Sequence, residues 1–462
     1  MTIWSPDLSG VRGPLYRAIA GELAQAIKSG ELAAGSRLPT QRELALHLQV
    51  SVQTVSQAYA EVERLGLVSG EVGRGTFVLA SKATAREPGR VRRGEPLIDL
   101  SINQPAYDDL HGERLAAGLE ALAKRRDISA LVAVRPIAGL DEHRRAGTMW
   151  VRRRGVETTP DRVVVTNGVS HGVLVALAAL TRPGDRILTE ALTDHGTIGV
   201  ASLLGLRLGG LELDPEGILP EAFEKACEGG DVKVLCITPT LNNPTVAVMS
   251  EDRRRRIAEI ARRHQVAVIE NDIYGELVAD GPPALMAYLP EFVCYVTGFS
   301  KAVLAGLRTG YVVAPPRLIQ PLVRRVRITS WMATPLVADL AREWIEDGTA
   351  SELVSWQRRA LAGRYQVVRR ILGDFDVTMH PGAPHAWLNL PGRWRAEAFV
   401  AEARLENVAI TPADPFAVDR AAAPQAVRIS VGAAADLEEL AQGLEALAHL
   451  LRREPEPFYV SL

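Results

Sequence analysis

The sequence predicts a large α/β domain built on a mostly parallel sheet, preceded by a small helical domain. From Ile98 onward, short β-rich apolar runs alternate with helical stretches, which is typical of parallel sheets with right-handed crossovers. Before that point the apolar residues recur at helical spacing. We therefore expect a head at residues 1–80, a linker at 81–96 and the large domain at 97–455.

Composition describes an ordinary soluble globular protein. The 462 residues are 47% hydrophobic, with 23% charged and 5% aromatic residues. No apolar run is long enough to span a bilayer, and the chain begins without a signal-peptide pattern. Cys227, Cys236 and Cys294 lack metal-ligand spacing, so we expect no metal site and a reducing cytoplasm. The net charge of −2 means that any contact with DNA must be local.

Three helices are predicted in the head. An apolar stripe from Leu15 to Ile27 recurs every four residues, and Gly30 ends that helix. Thr40-Gln-Arg-Glu43 fits a capping box that opens a second, short helix. Ser51 is a natural N-cap for the third helix, which Gly66 ends. The second and third helices therefore form a helix-turn-helix.

Two short strands, at 67–68 and 73–78, follow these helices. A helix-turn-helix followed by a hairpin is a winged helix, whose third helix presents polar side chains to base edges while arginines contact phosphates. A small dimerisation or docking domain is the alternative, and seven basic against seven acidic residues in 1–80 do not separate the two. The residues expected to contact DNA are Arg37, Thr40, Arg42, Ser51, Gln53, Thr54, Gln57, Arg74, Gly75 and Thr76.

The segments 15–19, 30–44, 51–55 and 73–77 together resemble the GntR-type winged helix nearly end to end. This resemblance implies that the head binds DNA. Val52 stands where the family usually has arginine, so one expected DNA contact is missing.

Residues 81–96 are predicted to be a linker. They lack an apolar period and contain two prolines and two glycines. Five basic and two acidic residues allow contact with a DNA backbone, with a solvated tether as the alternative.

The large domain has predicted strands at 162–166, 186–189, 233–237, 267–269, 294–297 and 310–314. Ligands of parallel sheets bind at the carboxyl ends of strands, so polar residues there are the candidates. After the first strand, the backbone amides of Gly168, Val169 and Ser170 open a helix and are expected to bind a phosphate. Asn243 precedes a proline, which favours an extended backbone with the side chain directed into a site.

A third cluster, Asn271, Asp272 and Tyr274, follows a buried strand. A carboxylate in such a place needs a partner, and a pyridinium nitrogen is a suitable one. Lys301 lies in the fourth cluster, in a small and apolar run with Arg308 seven residues later. Apolar surroundings favour the neutral amine, which is nucleophilic, although a lysine that snorkels to the surface is the alternative.

A phosphate cradle, a carboxylate, a phenol with an amide, and a lysine together describe a site for pyridoxal 5′-phosphate. Here residues 98–455 resemble the fold-type I aminotransferases, and the whole chain resembles a MocR-type regulator. The resemblance implies that Lys301 attaches the cofactor and that Arg308 holds its phosphate. It also implies that Asn243 and Tyr274 bond the ring hydroxyl. Arg428 would hold a substrate carboxylate, with a surface arginine on an edge strand as the alternative.

Several positions depart from the aminotransferase pattern. Asn271 stands where the family usually has the aspartate that bonds the pyridinium nitrogen, and Asp272 beside it is a possible substitute. Because side chains alternate along a strand, only one of the two is expected to face the ring. Gly298 replaces a phosphate-binding serine. Asp194 takes the place of a stacking tyrosine, with His195 beside it as a substitute. Val134 replaces a tyrosine that usually reaches the partner subunit's phosphate. These changes predict weaker cofactor binding or slow turnover.

We therefore expect a cytoplasmic transcription regulator. Its large domain senses pyridoxal phosphate, an amino acid or an amine, and its heads bind paired half-sites in a promoter. The resemblance implies a homodimer with head-to-tail exchange. The net charge and the lack of a spanning apolar run predict no membrane contact. An active aminotransferase with a vestigial head is the alternative, and a cofactor-free regulator is a third hypothesis. Whether the large domain retains full or half-transamination stays open.

Overall fold

We describe a computed structural model of the chain. It covers residues 4, 15–29, 32, 38–64, 68–71, 75–78, 97–125, 131 and 136–453. The chain divides into two compact units, Met1–Glu95 and Pro96–Leu462, called the head unit and the large unit below. The linker predicted at 81–96 lies outside the described residues, as does Val134.

The head unit contains the predicted helices and hairpin. Its elements are α1 Leu15–Ser29, α2 Gln41–His47, α3 Val52–Arg64, β1 Val68–Glu71 and β2 Gly75–Val78. The capping box of α2 is confirmed, because the Thr40 side chain accepts from the Glu43 amide and the Glu43 side chain accepts from the Thr40 amide. The two strands pair antiparallel. A small core of aliphatic side chains and Tyr59 joins the three helices, and the Tyr59 hydroxyl donates to the carbonyl of Pro39 at 2.8 Å.

The large unit alternates strands and helices, as predicted. Its helices are α4 Asp109–Ala123, α5 Asp141–Arg152, α6 Val169–Leu180, α7 His195–Leu203, α8 Pro220–Cys227, α9 Glu251–Arg263, α10 Pro316–Thr329, α11 Pro335–Glu346, α12 Thr349–Leu372, α13 Ala396–Leu405 and α14 Leu437–Arg452. The strands of its main sheet are β4 Val163–Thr166, β5 Arg186–Glu190, β6 Arg207–Leu211, β9 Val232–Ile237, β10 Ala267–Asn271, β11 Val293–Gly298 and β12 Gly310–Val313. Short pairs are formed by β7 Leu213–Asp214 with β8 Gly217–Ile218, and by β3 Ile98–Asp99 with β15 Val408–Ala409.

The main sheet has the strand order β4-β12-β11-β10-β9-β5-β6. Every pairing in it is parallel except those of β12, which runs antiparallel to both β11 and β4. The largely parallel sheet is therefore confirmed, and β6 is a seventh strand that the sequence analysis did not identify. One face packs against α5, α8, α9 and α11, and the other against α6 and α10.

A second sheet carries one predicted site residue. It consists of β13 Val377–Thr378, β14 Ala386–Asn389, β17 Ala426–Ile429 and β16 Thr411–Pro412, in that spatial order and antiparallel. Its core is filled by α12, α13 and α14. Because β17 lies between two other strands, Arg428 is on an inner strand. In the described ranges, no helix combines the length and apolar character needed to cross a bilayer.

Candidate functional site

Lys301 follows β11 and is largely enclosed by the protein. Its Nζ atom donates a hydrogen bond to the backbone carbonyl of Asn103. Burial lowers the pKa of Lys301 to about 8; Asp194 opposes this shift, and Arg428 and Arg308 add to it. A substantial neutral fraction is therefore present near neutral pH, which is the form that attacks an aldehyde. The snorkelling alternative does not describe this side chain, whose amine is held inside.

Asn103 connects three polar side chains of this site. Its Nδ2 atom donates to the Tyr274 hydroxyl at 2.9 Å and lies 3.4 Å from Nδ1 of His385. His385 Nε2 lies 3.1 Å from the carbonyl of Asn242 and donates to it. Burial, together with Arg428, lowers the pKa of His385 to about 3, so the ring is neutral and Nδ1 is free to accept from Asn103.

The turn between β4 and α6 forms a cradle beside Arg308. Gly168 precedes α6 with a φ of +84°, and a Cβ atom at this position would lie 3.1 Å from the Arg308 guanidinium. Arg308 has a φ of +43°, and its Nη1 donates to the Ser300 hydroxyl at 3.3 Å. Val169 is buried and Ser170 exposed at the start of the helix. The arrangement joins a cation, a hydroxyl and helix N-terminal amides, all of which suit a phosphate.

Arg428 is 3% exposed, which excludes the alternative of a surface arginine on an edge strand. Its Nη1 donates to Asn243 Oδ1 at 3.0 Å, and its Nη2 donates to the carbonyl of Ser101 at 2.5 Å. Its Nε is buried without a hydrogen-bond partner among the described residues. The ring of Phe416 lies 4.8 Å from the guanidinium carbon. A buried cation with an unused donor is suited to a carboxylate.

Asn271 and Asp272 face opposite sides of the main sheet. Asp272 is fully enclosed on the α5 side, where its Oδ2 accepts from Arg154 Nε at 3.0 Å and from the Tyr295 hydroxyl at 2.8 Å. Burial opposes its ionisation, but Arg154 and Arg254 outweigh burial and hold the pKa of Asp272 below its usual value. Asn271 continues the face of the sheet that packs against α6, since side chains alternate along β10.

Asp194 joins the group around Arg428, and His195 contacts it from the rim, with Nδ1 3.5 Å from Asp194 Oδ1. Asp194 Oδ1 accepts from Asn243 Nδ2 at 3.3 Å, so Arg428, Asn243 and Asp194 form one chain of contacts. The His195 side chain is 68% exposed and its ring meets Phe416 edge-on at a centroid distance of 6.2 Å. The histidine thus stands at the rim, with no bond to Lys301 or Arg308 among the described contacts.

Gly298, where a phosphate-binding serine is usual, has no room for a side chain. A Cβ atom there would lie 2.6 Å from the Thr309 carbonyl and 3.1 Å from Gly310 Cα, because β11 and β12 pair at Gly298 and Gly310. We expect Gly298→Ser to lower the free energy of unfolding by about 1–3 kcal/mol through overpacking, measured by urea denaturation.

Gly306 offers a matched control for that substitution. It lies in the connection between β11 and β12, with open space around the position of a Cβ atom, so Gly306→Ser should change stability by less than about 0.5 kcal/mol. Equal stabilities of the two variants would contradict the steric explanation.

The head unit exposes several of the predicted DNA-contacting residues. Arg42, Ser51, Gln53 and Gln57 are exposed and Thr54 is half-buried. Ser51 caps α3, since its hydroxyl accepts from the Thr54 amide at 3.1 Å.

Of the other predicted DNA contacts, Gly75 and Thr76 lie in the second strand of the hairpin. The carbonyl of Thr76 accepts from the Leu38 amide at 2.9 Å, and Gly75 begins β2. Thr40 is exposed and caps α2. Arg37 and Arg74 lie outside the described residues.

One group of potential metal ligands occurs away from this site. Ligand atoms of Glu142, His143 and Asp339 lie within 4.8 Å of one another. Arg125 and Arg342 both donate to Asp339, so its charge is already compensated. These contacts describe an ion-pair cluster between α5 and α11.

Three polar residues of the site were missed by the sequence analysis. Ser300 could have been found, because it directly precedes Lys301 and is a hydroxyl in the same loop. Asn103 and His385 carried no such signal, since they are 198 and 282 residues away from their partners Lys301 and Asn103, respectively.

Comparisons with known proteins account for nearly the whole described chain. Residues 15–78 match the family model of bacterial regulatory proteins, gntR family. Residues 95–447 match the model of aminotransferase class I and II. A solved structure of the α-aminoadipate aminotransferase LysN from Thermus thermophilus, complexed with N-(5′-phosphopyridoxyl)-L-leucine, aligns with a TM-score of 0.69 at 25% identity, covering 77% of this chain and 92% of LysN.

Curated relatives share both parts of the chain. The uncharacterized HTH-type transcriptional regulator YdeF of Bacillus subtilis is 31% identical over 97% of this chain and 96% of its own length. The vitamin B6 salvage pathway transcriptional repressor PtsJ of Salmonella typhimurium is 26% identical over 84% of this chain and 88% of its own length. The chain therefore belongs to the MocR-type regulators, in which a GntR-type winged helix is fused to a fold-type I aminotransferase domain.

Proposed function

We propose that this protein is a transcription regulator that binds DNA through α3 and senses a ligand in the large unit. The exposed polar residues of α3 support the DNA contact, since hydrogen-bonding side chains on such a helix read base edges in the major groove. The names of YdeF and PtsJ, both regulators, support the same role. We also propose a cytoplasmic homodimer whose two heads bind paired half-sites.

The observation that carries the ligand proposal is the enclosed Lys301 amine beside two arginines. Its lowered pKa, the Arg308 cradle at Gly168 and the unused Nε of Arg428 fit pyridoxal 5′-phosphate with a carboxylate-bearing amine next to it. LysN, with its phosphopyridoxyl-leucine adduct, gives independent support. The effector is then the cofactor itself, an amino acid or another amine.

Each residue has a defined task in this proposal. Lys301 provides the amine for covalent attachment, and Arg308, Ser300 and the amides of Gly168–Ser170 hold the phosphate. Pyridoxal phosphate supplies an aldehyde that condenses with amines and a ring that withdraws electrons.

The ring is held by a second set of residues. Asn243 and Tyr274 orient its hydroxyl, and Asn271 lies on the face from which the ring nitrogen is reached. Arg428 orients the carboxylate of an incoming amino acid. An amide at position 271 donates or accepts a hydrogen bond but carries no negative charge to keep the nitrogen protonated, which favours sensing over fast turnover.

The DNA-binding proposal is tested with fragments that the wild-type protein selects from random DNA. We expect Gln57→Ala, on the exposed face of α3, to weaken binding about tenfold, because a base contact contributes roughly 1–3 kcal/mol. Gln25→Ala is the matched control, since Gln25 is an exposed glutamine of α1. Binding of both variants with wild-type affinity would contradict a recognition role for this face, and failure of the wild type to select any sequence would overturn the function.

An active aminotransferase remains the second candidate function. The buried Arg428 with its unused donor favours it, as does the 2-aminoadipate transaminase of Thermus thermophilus, which is 25% identical over 80% of this chain and 94% of its own length. Multiple turnovers of an amino acid and 2-oxo acid pair, lost in Lys301→Ala, would establish it. Asn271 argues for a slow reaction at most.

A further inference from the structure

The half-buried Lys301 and the buried Arg428 are bound to one short stretch of backbone. Arg428 Nη2 donates to the carbonyl of Ser101 at 2.5 Å, and Lys301 Nζ donates to the carbonyl of Asn103. We call residues 101–103 the gating segment. Lys301 follows a strand of the main sheet and Arg428 lies in the second sheet, so the gating segment joins the two sides of the site.

Few other contacts fasten the gating segment. Asp99 Oδ1 accepts from the Ser101 amide at 2.9 Å and from the Ser101 hydroxyl at 2.5 Å. The Thr411 hydroxyl donates to the Ser101 carbonyl at 3.0 Å. Asn103 Nδ2 donates to Tyr274, as described above, while Asn103 Oδ1 is buried without a partner among the described residues. No hydrogen bond of the amides of residues 102 and 103 is among the described contacts, so the segment is held by the bonds of Ser101, by the Asn103 side chain and by the two cations.

The carbonyls of Ser101 and Asn103 accept hydrogen bonds from N–H groups of Arg428 and Lys301 that a ligand would need. A carboxylate that binds Arg428 with two parallel bonds needs two adjacent donors. Among the described contacts, Nη1 and Nη2 of Arg428 each already donate a hydrogen bond, whereas Nε donates none. Lys301 likewise has to leave the Asn103 carbonyl before its amine turns to an aldehyde. A charged carboxylate accepts more strongly than a neutral carbonyl, so a ligand has the advantage in this exchange.

We propose that the gating segment is an internal competitor of the ligand, and that its displacement transmits binding to the head. The inference rests on the proposed function in taking Lys301 and Arg428 as the ligand-binding cations. In the sequence, one residue separates the gating segment from the end of β3, and β3 comes shortly after residues 81–96, which lead from the head. Displacement would therefore act on the chain close to the point where it enters the large unit.

The first test needs no ligand. Hydrogen exchange of the full-length protein is followed at the amides of Leu100, which bonds the Ala409 carbonyl at 2.8 Å, and Ser101. We expect Lys301→Met and Arg428→Met each to speed this exchange about tenfold or more, since a hydrogen bond to a charged group is worth roughly one such factor. Asn389→Ala is the control, because it removes an exposed side-chain bond to Asp376 elsewhere in the large unit.

The second test loosens the gating segment without touching either cation. Asp99→Ala removes the acceptor for Ser101, whereas Asp99→Asn keeps an oxygen in its place. With pyridoxal phosphate as the probe, we expect Asp99→Ala to bind about tenfold more tightly than wild type, and Asp99→Asn to bind as wild type does. Adding pyridoxal phosphate to wild type should change its affinity for the selected DNA. Asp99→Ala, measured without pyridoxal phosphate, should show a change of affinity in the same direction.

The outcomes separate this inference from the proposed function. Suppose that Lys301→Met and Arg428→Met keep the wild-type circular dichroism and the wild-type exchange rates at Leu100 and Ser101. The cations then do not hold the gating segment, and the inference is wrong even if the cofactor binds. If exchange is faster in the two cation variants but wild type gives no absorbance band with pyridoxal phosphate, the role of the gating segment is supported. Pyridoxal phosphate is then excluded as the ligand. Equal DNA affinities of Asp99→Ala and Asp99→Asn overturn transmission to the head.

Discussion

Lys301→Ala is expected to abolish the visible absorbance band that the wild-type protein develops with pyridoxal phosphate, at about 400–430 nm for a protonated covalent adduct. Alanine provides no amine for attachment. Lys301 is the partly enclosed amine that lies among Asp194, Arg308 and Arg428. The measurement is an absorbance titration of purified protein. Because covalent attachment is lost outright, this effect is the largest that any single substitution in the site should produce.

The rate of band formation should depend on pH in a defined direction. Only the neutral amine attacks, and the pKa of Lys301 is lowered to about 8, mainly by burial. The rate is therefore expected to rise as the pH increases to about 8 and to level off above it. A lysine in water, with a pKa of about 10.4, would still be gaining rate at pH 9–10.

Lys124→Ala is the matched control for these experiments. Lys124 is an exposed lysine just after α4 that pairs with Glu120 of that helix, so its removal should leave the band and its pH profile unchanged. A band of wild-type intensity in Lys301→Ala would show that another amine carries the cofactor. An absent band in wild type would instead favour a cofactor-free regulator.

The architecture of the protein was predictable because local patterns determine it. Apolar spacing and caps predicted the helices of the head, and alternation of strands with helices predicted the sheet of the large unit. Strand β6 was not predicted, because its sequence, Arg-Leu-Gly-Gly-Leu, has two glycines and no β-branched residue. It forms a strand because β5 provides a parallel partner along its whole length.

The interior of the site was less predictable, because it depends on contacts between distant parts of the chain. Lys301 and Arg428 carried local signals, namely an apolar run and a β-rich segment. The sequence did not reveal that a backbone carbonyl at Asn103 would hold the lysine, since every residue has a carbonyl and only the fold selects one. Alternation along β10 predicted that Asn271 and Asp272 face opposite sides of the sheet. Which side holds Asp272 depends on Arg154 and Tyr295, which bond its carboxylate from distant parts of the chain.

Asp272→Ala is expected to lower the free energy of unfolding by about 3–5 kcal/mol, because it leaves Arg154 as an uncompensated buried charge. Arg154 is 6% exposed and its Nε bonds Asp272. The Tyr295 hydroxyl loses its acceptor as well. Urea denaturation measures the effect. Asn271→Ala should cost much less, since among the described contacts its side chain accepts only from the Ile273 amide, at a long 3.3 Å.

The same pair of substitutions assigns the two side chains to their roles. Our proposal assigns Asn271, on the α6 face, to the ring nitrogen of pyridoxal phosphate. Asn271→Ala should therefore weaken binding of pyridoxal phosphate about tenfold, the loss of roughly one hydrogen bond. Asp272→Asn, which keeps the shape of the side chain and is more easily tolerated, should leave cofactor affinity within about threefold of wild type while it still lowers stability. The reverse order of affinities would place Asp272 at the ring and make the Arg154 pair part of the binding site. Folding and ligand binding therefore depend on adjacent residues that point to opposite faces of one strand, and each can be varied without the other.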